Sequence, residues 1–247
     1  MDINGAFKSV CKVLLKQETG ELKDFEKYLT KYTERLHVGK SASGAPVYYT
    51  APYCAGARFV SFEEAFKPEA AQPVDINDAK DIDSLLGAVS ERICYAGNKV
   101  LGNSKFVQES ENVTDSNVVY RSSEILRCEY VAHSNLLRDS KYMFGCSSGG
   151  ENSFCINCCA TNNNQRCFET TMLVRCSDAY YSNNCDDCHD VFFCFDQHSK
   201  RNMVGNNGLE KQRYAELKEH LLQQICDGLK RKKLPSLVDF VREGESP

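Results

Sequence analysis

Residues 104–146 read SKFVQESENVTDSNVVYRSSEILRCEYVAHSNLLRDSKYMFGC. Every third residue from Ser104 gives Ser104, Val107, Ser110, Val113, Ser116, Val119, Ser122, Ile125, Cys128, Val131, Ser134, Leu137, Ser140, Met143 and Cys146, with small and aliphatic side chains alternating throughout. Past Gly149 and Asn152 the frame runs through Cys155, Cys158, Thr161, Asn164, Cys167, Thr170, Leu173, Cys176, Ala179, Ser182, Cys185, Cys188, Val191 and Cys194, and it holds no charged residue. Ten cysteines lie between Cys128 and Cys194, and all but Cys159 sit in this one frame. A period of three fits neither a helix at 3.6 nor a strand at 2, so the chain must turn a corner every few residues. That is a solenoid, and an internal repeat decides architecture before local propensity does.

Other columns set the coil length. Phe106, Val118, Tyr130 and Tyr142 are twelve apart, and Asp178-Ala179-Tyr180-Tyr181-Ser182 recurs twelve later as Asp190-Val191-Phe192-Phe193-Cys194. A period of six or eighteen would mix these columns with Asn112, Glu124 and Leu136. The predicted fold is therefore mainly β, a short-coil β-solenoid of about 12 residues per turn with an N-terminal helical segment and a C-terminal capping helix. Between Ser104 and Cys194 this makes about seven and a half coils, a rod roughly 35 Å long at the usual strand spacing. Val119, Val131 and Leu137 are expected inside, and Lys105, Glu129 and Arg138 in water.

In repeat length and in placing one residue inward at every third position, this stretch resembles the twelve-residue β-solenoid of beetle antifreeze proteins. The resemblance is architectural and covers the middle of the chain. Those proteins present a flat Thr-x-Thr ladder to ice, whereas the outward columns here mix Lys, Glu, Arg, Tyr and Phe, and only Thr170-Thr171 comes near. The last hundred residues, with Cys185-x-x-Cys188 running into Phe192-Phe193-Cys194 and then a helix near Gly208-Leu209, are also similar to cysteine-rich proteins of tailed phages and uncultured microbes. That resemblance implies a virion or other assembly component.

Outward from the solenoid, Phe7, Val10, Cys11, Leu14 and Leu15, then Leu22, Phe25, Tyr28, Leu29, Tyr32 and Leu36, recur at helical spacing on either side of Thr19-Gly20. They predict an amphipathic helical hairpin over 1–38. Residues 39–74 read as loop and edge, with a β-like run at Val47-Tyr48-Tyr49. Gly39-Lys40-Ser41 is not a phosphate loop, because Glu34 stands where the first glycine is needed. Over 75–102 a capping helix is expected to start near Asp75 to Asn77, to bury Ala79, Ile82, Leu85, Leu86, Val89 and Ile93 against the first coil, and to end at Gly97. The solenoid fills 103–205, and 206–247 carries a helix built on Leu209, Tyr214, Leu217, Leu221 and Ile225, closed by Lys230-Arg231-Lys232-Lys233, cations that suit a helix C-terminus.

A net charge of −4 and pI near 5.8 argue against bulk nucleic-acid or anionic-membrane binding, and no apolar run approaches a membrane span. Fourteen cysteines without an export signal in the first thirty residues predict a reducing compartment, the cytoplasm or a virion, and leave the sequon at Asn112 without meaning. Cys155-x-x-Cys158 and Cys185-x-x-Cys188 match zinc-ribbon spacing, with His189 and His198 as spare ligands. A ladder of three, however, produces Cys-x-x-Cys automatically, and the same frame accepts Ser, Thr, Ala and Val, so the thiols are read as core filler selected for size. Disulfides between Cys188 and Cys194, Cys155 and Cys167, or Cys176 and Cys188 are the other possibility that the stacking permits. Asp178 and Asp190, with Asp186 or Asp187 nearby, would suit a glycan-cleaving β-helix, but acidic coil corners are ordinary solvated turns. The expectation is a non-enzymatic structural or assembly protein with no cofactor or small-molecule substrate. Its protein partners, or further copies of itself, would meet the aromatic columns Phe106, Tyr130, Tyr142 and Tyr181, Phe193.

Overall fold

A computed structural model describes residues 1–51, 53, 56–67, 73–75, 77 and 80–240. It is a β-solenoid of about 9 turns with roughly 12 residues per turn, flanked by an N-terminal and a C-terminal helix. The corner that the period of three demands is a backbone event. From Phe106 to Asn202 every third residue is left-handed, with φ from 46° at Arg121 to 58° at Tyr142 among the non-glycine positions and Gly145 at 69°. As far as Cys194 the residue after each left-handed one belongs to the inward frame, so Tyr130 turns the chain and Val131 enters the core, whereas on the last coil Lys200, after left-handed Ser199, is exposed. A left-handed L-residue costs roughly 1–2 kcal/mol, and here Val118, a β-branched residue, pays it as well.

What offsets that strain is a parallel ladder locked at twelve residues. Val107, Val119, Val131, Met143, Cys155, Cys167, Ala179, Val191 and Met203 are successive Cα partners. Val119, Val131 and Leu137 are buried, Lys105 and Arg138 are exposed, and Glu129 is half-buried beside Lys141. The rod is longer than Ser104 to Cys194 because Val100–Leu101 already pairs with the coil above it and Arg201–Val204 still stacks on His189–Phe192.

The small residues of the ladder do more than fill space. Ser134 Oγ donates to the Ala132 carbonyl at 2.9 Å and accepts the Cys146 N–H of the next coil at 3.0 Å. Ser110, Ser116 and Ser122 do the same. Cysteine substitutes for serine in kind: Cys176 Sγ donates to the Val174 carbonyl and accepts Cys188 N–H, both at 3.3 Å. Asn152 Oδ1 accepts Asn164 N–H at 2.9 Å, and its Nδ2 crosses the interior to the Thr161 carbonyl at 2.8 Å. Gly149 leaves the room, since a Cβ there would lie 2.7 Å from that Nδ2. Selection for size alone is thus an incomplete account. The ladder residues also satisfy backbone groups that the corners strip of partners, which a buried site requires.

The coil wall separates two cores. Inside lie the ladder residues; outside, one flank is covered by the terminal helices. Helix α1 (Ile3–Leu15) is capped by Asp2, whose side chain accepts Gly5 N–H. It runs about 20 Å, some four coil spacings, and buries Phe7, Val10, Cys11, Leu14 and Leu15 against Ala132, Phe144, Ile156, Phe168 and Tyr180. Phe7 meets Phe144 edge-on at 5.2 Å, and Tyr180 Oη donates to the Leu14 carbonyl at 2.9 Å. The second half of the expected hairpin is a 3-10 turn (Leu22–Phe25) followed by a single helical turn, α2 (Glu26–Leu29). Strands β1 (His37–Lys40) and β2 (Pro46–Tyr49) form an antiparallel hairpin, and β3 (Phe59–Ser61) leads into a short helix, α3 (Phe62–Ala65).

Residues 80–101 depart from expectation. Helix α4 spans Ile82–Ser90 and is capped by Asp81 rather than by Asp75 or Asn77. Ile82, Leu85, Leu86 and Ile93 are exposed and Val89 is half-buried, so the helix does not bury its apolar stripe on the first coil; Ala79 lies outside the described residues. Gly97 belongs instead to strand β4 (Tyr95–Gly97), parallel to β3, and Tyr95 Oη donates to the buried Glu111 carboxylate at 2.9 Å. It is this strand, through Asn98 and Lys99, that enters the first coil: Asn98 joins Pro46 and Tyr48 of β2, while the Lys99 carbonyl accepts Val113 N–H. Helix α5 (Lys211–Lys230) follows the last coil and lies on the flank beside α1, burying Tyr214, Leu222, Ile225, Cys226 and Leu229.

Candidate functional site

Cys155, Cys158, Cys185 and Cys188 all lie within the solenoid, but as two pairs about 12 Å apart along the rod, given two and a half coil spacings. Each thiol donates to the carbonyl two residues earlier, at 3.5, 3.4, 3.4 and 3.3 Å. Thr170 Oγ1 also donates to Cys158 Sγ at 3.2 Å. Burial pushes the Cys146 and Cys158 thiols well up and Cys185 to about 12. His189 and His198 sit on the outer wall, beside Ser177 and Asp186 respectively, with the coil wall between them and the interior thiols. The four cysteines and two histidines therefore do not converge as one ligand set, and among the described residues no other group of three or more His, Cys, Asp or Glu is arranged to hold a metal ion.

The stacked carboxylates are tied down as well. Asp178 receives Arg166 at 2.6 Å, and Lys218 of α5 reaches Asp190 at 2.8 Å and Asp178 at 3.8 Å while lying over the Tyr180 ring. Asp186 is held by Arg175 and His198, and Asp187 accepts from Ser199. These contacts fasten α5 and neighbouring coils, a role that acidic corners at period twelve acquire by stacking alone.

Tyr130, Tyr142 and Phe154 stack face to face at 4.8 and 4.7 Å, half-buried next to the helical core. Tyr181 is buried, its hydroxyl donating to the Pro235 carbonyl at 2.8 Å, and Phe193 stacks on it at 5.1 Å, 43% exposed. Phe106 stands free at 77%. Of the flank column that the helices cover, Ala132, Phe144, Ile156, Phe168, Tyr180 and Phe192, only the step from Tyr180 to Phe192 was read in the sequence, although the same spacing of twelve links the rest.

Two polar sites escaped sequence reading. Glu169 is fully buried and accepts from Asn157 Nδ2 (2.8 Å), Tyr32 Oη (3.0 Å), Ser236 Oγ (2.7 Å) and Leu237 N–H (2.8 Å), joining both chain ends to the solenoid. His133 is also buried, edge-on to Tyr120, with no partner for Nε2 among the described residues, and burial pushes its imidazole down to about 4. It lies under a cleft of about 480 Å³ whose ionic groups, Glu26, Glu34, Arg35 and Arg121, balance in charge. Arg121 bonds to Glu26 there, so the formal charges of the lining leave no net excess of either sign.

The strongest candidate for function is the end of the rod that precedes the first coil. Phe66 (74%), at the end of α3, and Ile82 (73%), Leu86 (59%) and Ile93 (64%), on and just after α4, are open to water, and Phe106, Val100 and Leu101 are exposed on the first coil. Among the described residues no helix is long and apolar enough to cross a membrane. No protein-family model matches the chain, and no curated protein proved similar to it.

Proposed function

We propose that this protein is a non-enzymatic structural element, a rigid rod whose N-terminal end is an assembly interface for other proteins or further copies of itself. The observation that carries the reading is the set of large apolar side chains left in water at that end, beside single exposed ones elsewhere such as Met172 and Phe195, while the ladder interior and the helix-covered flank are closely packed. Large exposed apolar residues gathered on one part of a surface mark contacts more often than chance. The engagement of Asp178 and Asp190 by Arg166 and Lys218 supports a structural rather than a hydrolytic role for them. A virion or cytoplasmic assembly are both settings for such a rod.

Sedimentation equilibrium of the full chain, together with cross-linking in its native source, tests the proposal. Association with itself or with a defined partner is expected, and it should be lost in the Ile82→Asp, Leu86→Asp double variant, which changes only exposed side chains and should keep the wild-type circular dichroism. A chain that stays monomeric at high concentration, with no partner cross-linked through this end, overturns the assembly role.

A further inference from the structure

We propose that a second site, independent of the rod end, binds a small amphipathic anion: an apolar body carrying one carboxylate, sulfate or phosphate. It is a cleft of about 270 Å³ where the N-terminal turns meet the end of α5. The floor is apolar. Phe25 and Leu229 are buried, and Tyr28 and Leu234 are half-buried around them. The rim is cationic, built from Lys27, Lys31 and Lys232 against one lining carboxylate, Asp24. Asp24 is 3.5 Å from Lys232, and Lys31 is held by Asp239 at 2.5 Å. Lys27 has no ion-pair partner among the described residues, and it is exposed. In a chain of net charge −4 this local excess of ammonium groups is a specific feature.

The fold explains how three lysines distant in sequence arrive together. Lys27 lies on α2 and Lys31 just beyond its end, and both line the cleft. Lys232 follows α5 in a left-handed conformation, φ 54°, which folds the chain back so that Leu234 joins the cleft wall. The basic run of residues 230–233 is split by this turn. Lys230 Nζ donates to Gln17 and Arg231 to the Asp227 carbonyl, so the run does not present a joint cationic surface of the kind that tracks a nucleic-acid backbone. One of its cations instead meets an apolar floor. Paired with an uncommitted lysine, that floor favours a ligand whose tail replaces water on Phe25 and Leu229 and whose head group accepts from Lys27 and Lys232.

Decanoate is a suitable probe, used below its micellar concentration and read by saturation-transfer NMR and calorimetry on the full chain. Decanol, decyltrimethylammonium and inorganic phosphate supply the tail alone, the opposite charge and the head alone. Decanoate is expected to bind at least tenfold more tightly than any of the three. Its affinity should fall at least tenfold in Lys27→Glu, and it should weaken with added salt, as a surface ion contact must. The Ile82→Asp, Leu86→Asp variant should bind decanoate like wild type, which separates this site from the rod end. Equal binding of decanoate and decyltrimethylammonium, phosphate binding as tightly as decanoate, or a folded Lys27→Glu protein with unchanged affinity would each overturn the assignment.

Discussion

Replacing Ser134 by Ala separates the two accounts of the interior ladder. In the wild-type chain the hydroxyl is the hydrogen-bond partner of Cys146 N–H at 3.0 Å, and it donates to the Ala132 carbonyl, which also accepts Gly145 N–H at 3.0 Å. Alanine therefore orphans chiefly one donor, Cys146 N–H, in a region where Ser134 and Cys146 are almost fully buried. Leaving a buried donor unsatisfied costs about 1–3 kcal/mol, and the loss of one oxygen's volume adds little, so we expect a destabilisation of about 2 kcal/mol. Ser134→Cys retains a group that accepts and donates in the manner of Cys176, through a weaker sulfur contact, and should cost less than about 1 kcal/mol. The expected order of stability is wild type, then Cys, then Ala.

Urea unfolding followed by far-UV circular dichroism under reducing conditions measures this as a shift in midpoint with an unchanged slope. If the interior selected only small apolar bulk, alanine would be tolerated at least as well as cysteine. An alanine variant within about 0.5 kcal/mol of wild type, the range of an ordinary surface substitution, would refute the hydrogen-bonded ladder.

Two further outcomes follow from buried titratable groups. His133 is held down to about 4 from an ordinary value of 6.5, so the unfolded chain binds its proton first as pH falls. Its contribution is fully present above pH 6.5 and is lost down to about pH 4, by up to about 3 kcal/mol; His133→Gln should flatten that part of the stability–pH curve, and identical slopes for the two proteins would sink the argument. Burial pushes the Cys128 thiol up to about 11 and Cys11 and Cys176 to about 12, whereas Cys94 is exposed. A chromogenic disulfide at pH 8 should therefore label a folded Cys54→Ser, Cys94→Ser, Cys159→Ser variant only slowly, since Cys159 lies outside the ladder and is half-buried, and release of the ladder thiols should track unfolding; a rapid phase comparable to the denatured chain would mean the interior is open.

The solenoid was legible because its cause is local. A left-handed residue at every third position forces the next side chain inward, so the constraint falls on Val107, Ser110, Val113 and their successors without reference to the rest of the chain. The purpose of the serines was not legible, because the Cys146 N–H that Ser134 satisfies belongs to another coil. Helix α4 shows the opposite limit. Its apolar spacing was readable at Ile82, Leu85 and Leu86, but periodicity reports that a helix has an apolar face and not what covers it. The same holds for Phe144, Phe168 and Tyr180, whose neighbours on α1 are more than a hundred residues away. Glu169 and the cleft at Lys27 and Lys232 were beyond reach for that reason too: each gathers groups from both ends of the chain, which share no sequence pattern.

This distribution bears on where function can reside. A coil whose interior positions are taken by ladder residues, and whose corners are fixed every three residues, has neither a groove inside nor a loop to vary at its edge. Substitutions in the ladder act on stability, because each side chain there serves the coil above as well as its own. Recognition must then be built where the chain leaves the ladder. Two such places stand out among the described residues: Phe66, Ile82, Leu86 and Ile93 ahead of the first coil, which lie in water, and the junction of the chain ends over Phe25 and Leu229, which sets cations around an apolar floor. The two differ in what they would bind. Exposed aliphatic residues on α4 need a protein surface of matching shape, whereas a cleft of about 270 Å³ admits only a small molecule or the tip of one side chain. Variants at Ile82 and Leu86 should therefore leave the cleft untouched, and variants at Lys27 should leave assembly untouched, because the two places share no lining residue and the side chains of Ile82, Leu86 and Lys27 are all on the surface.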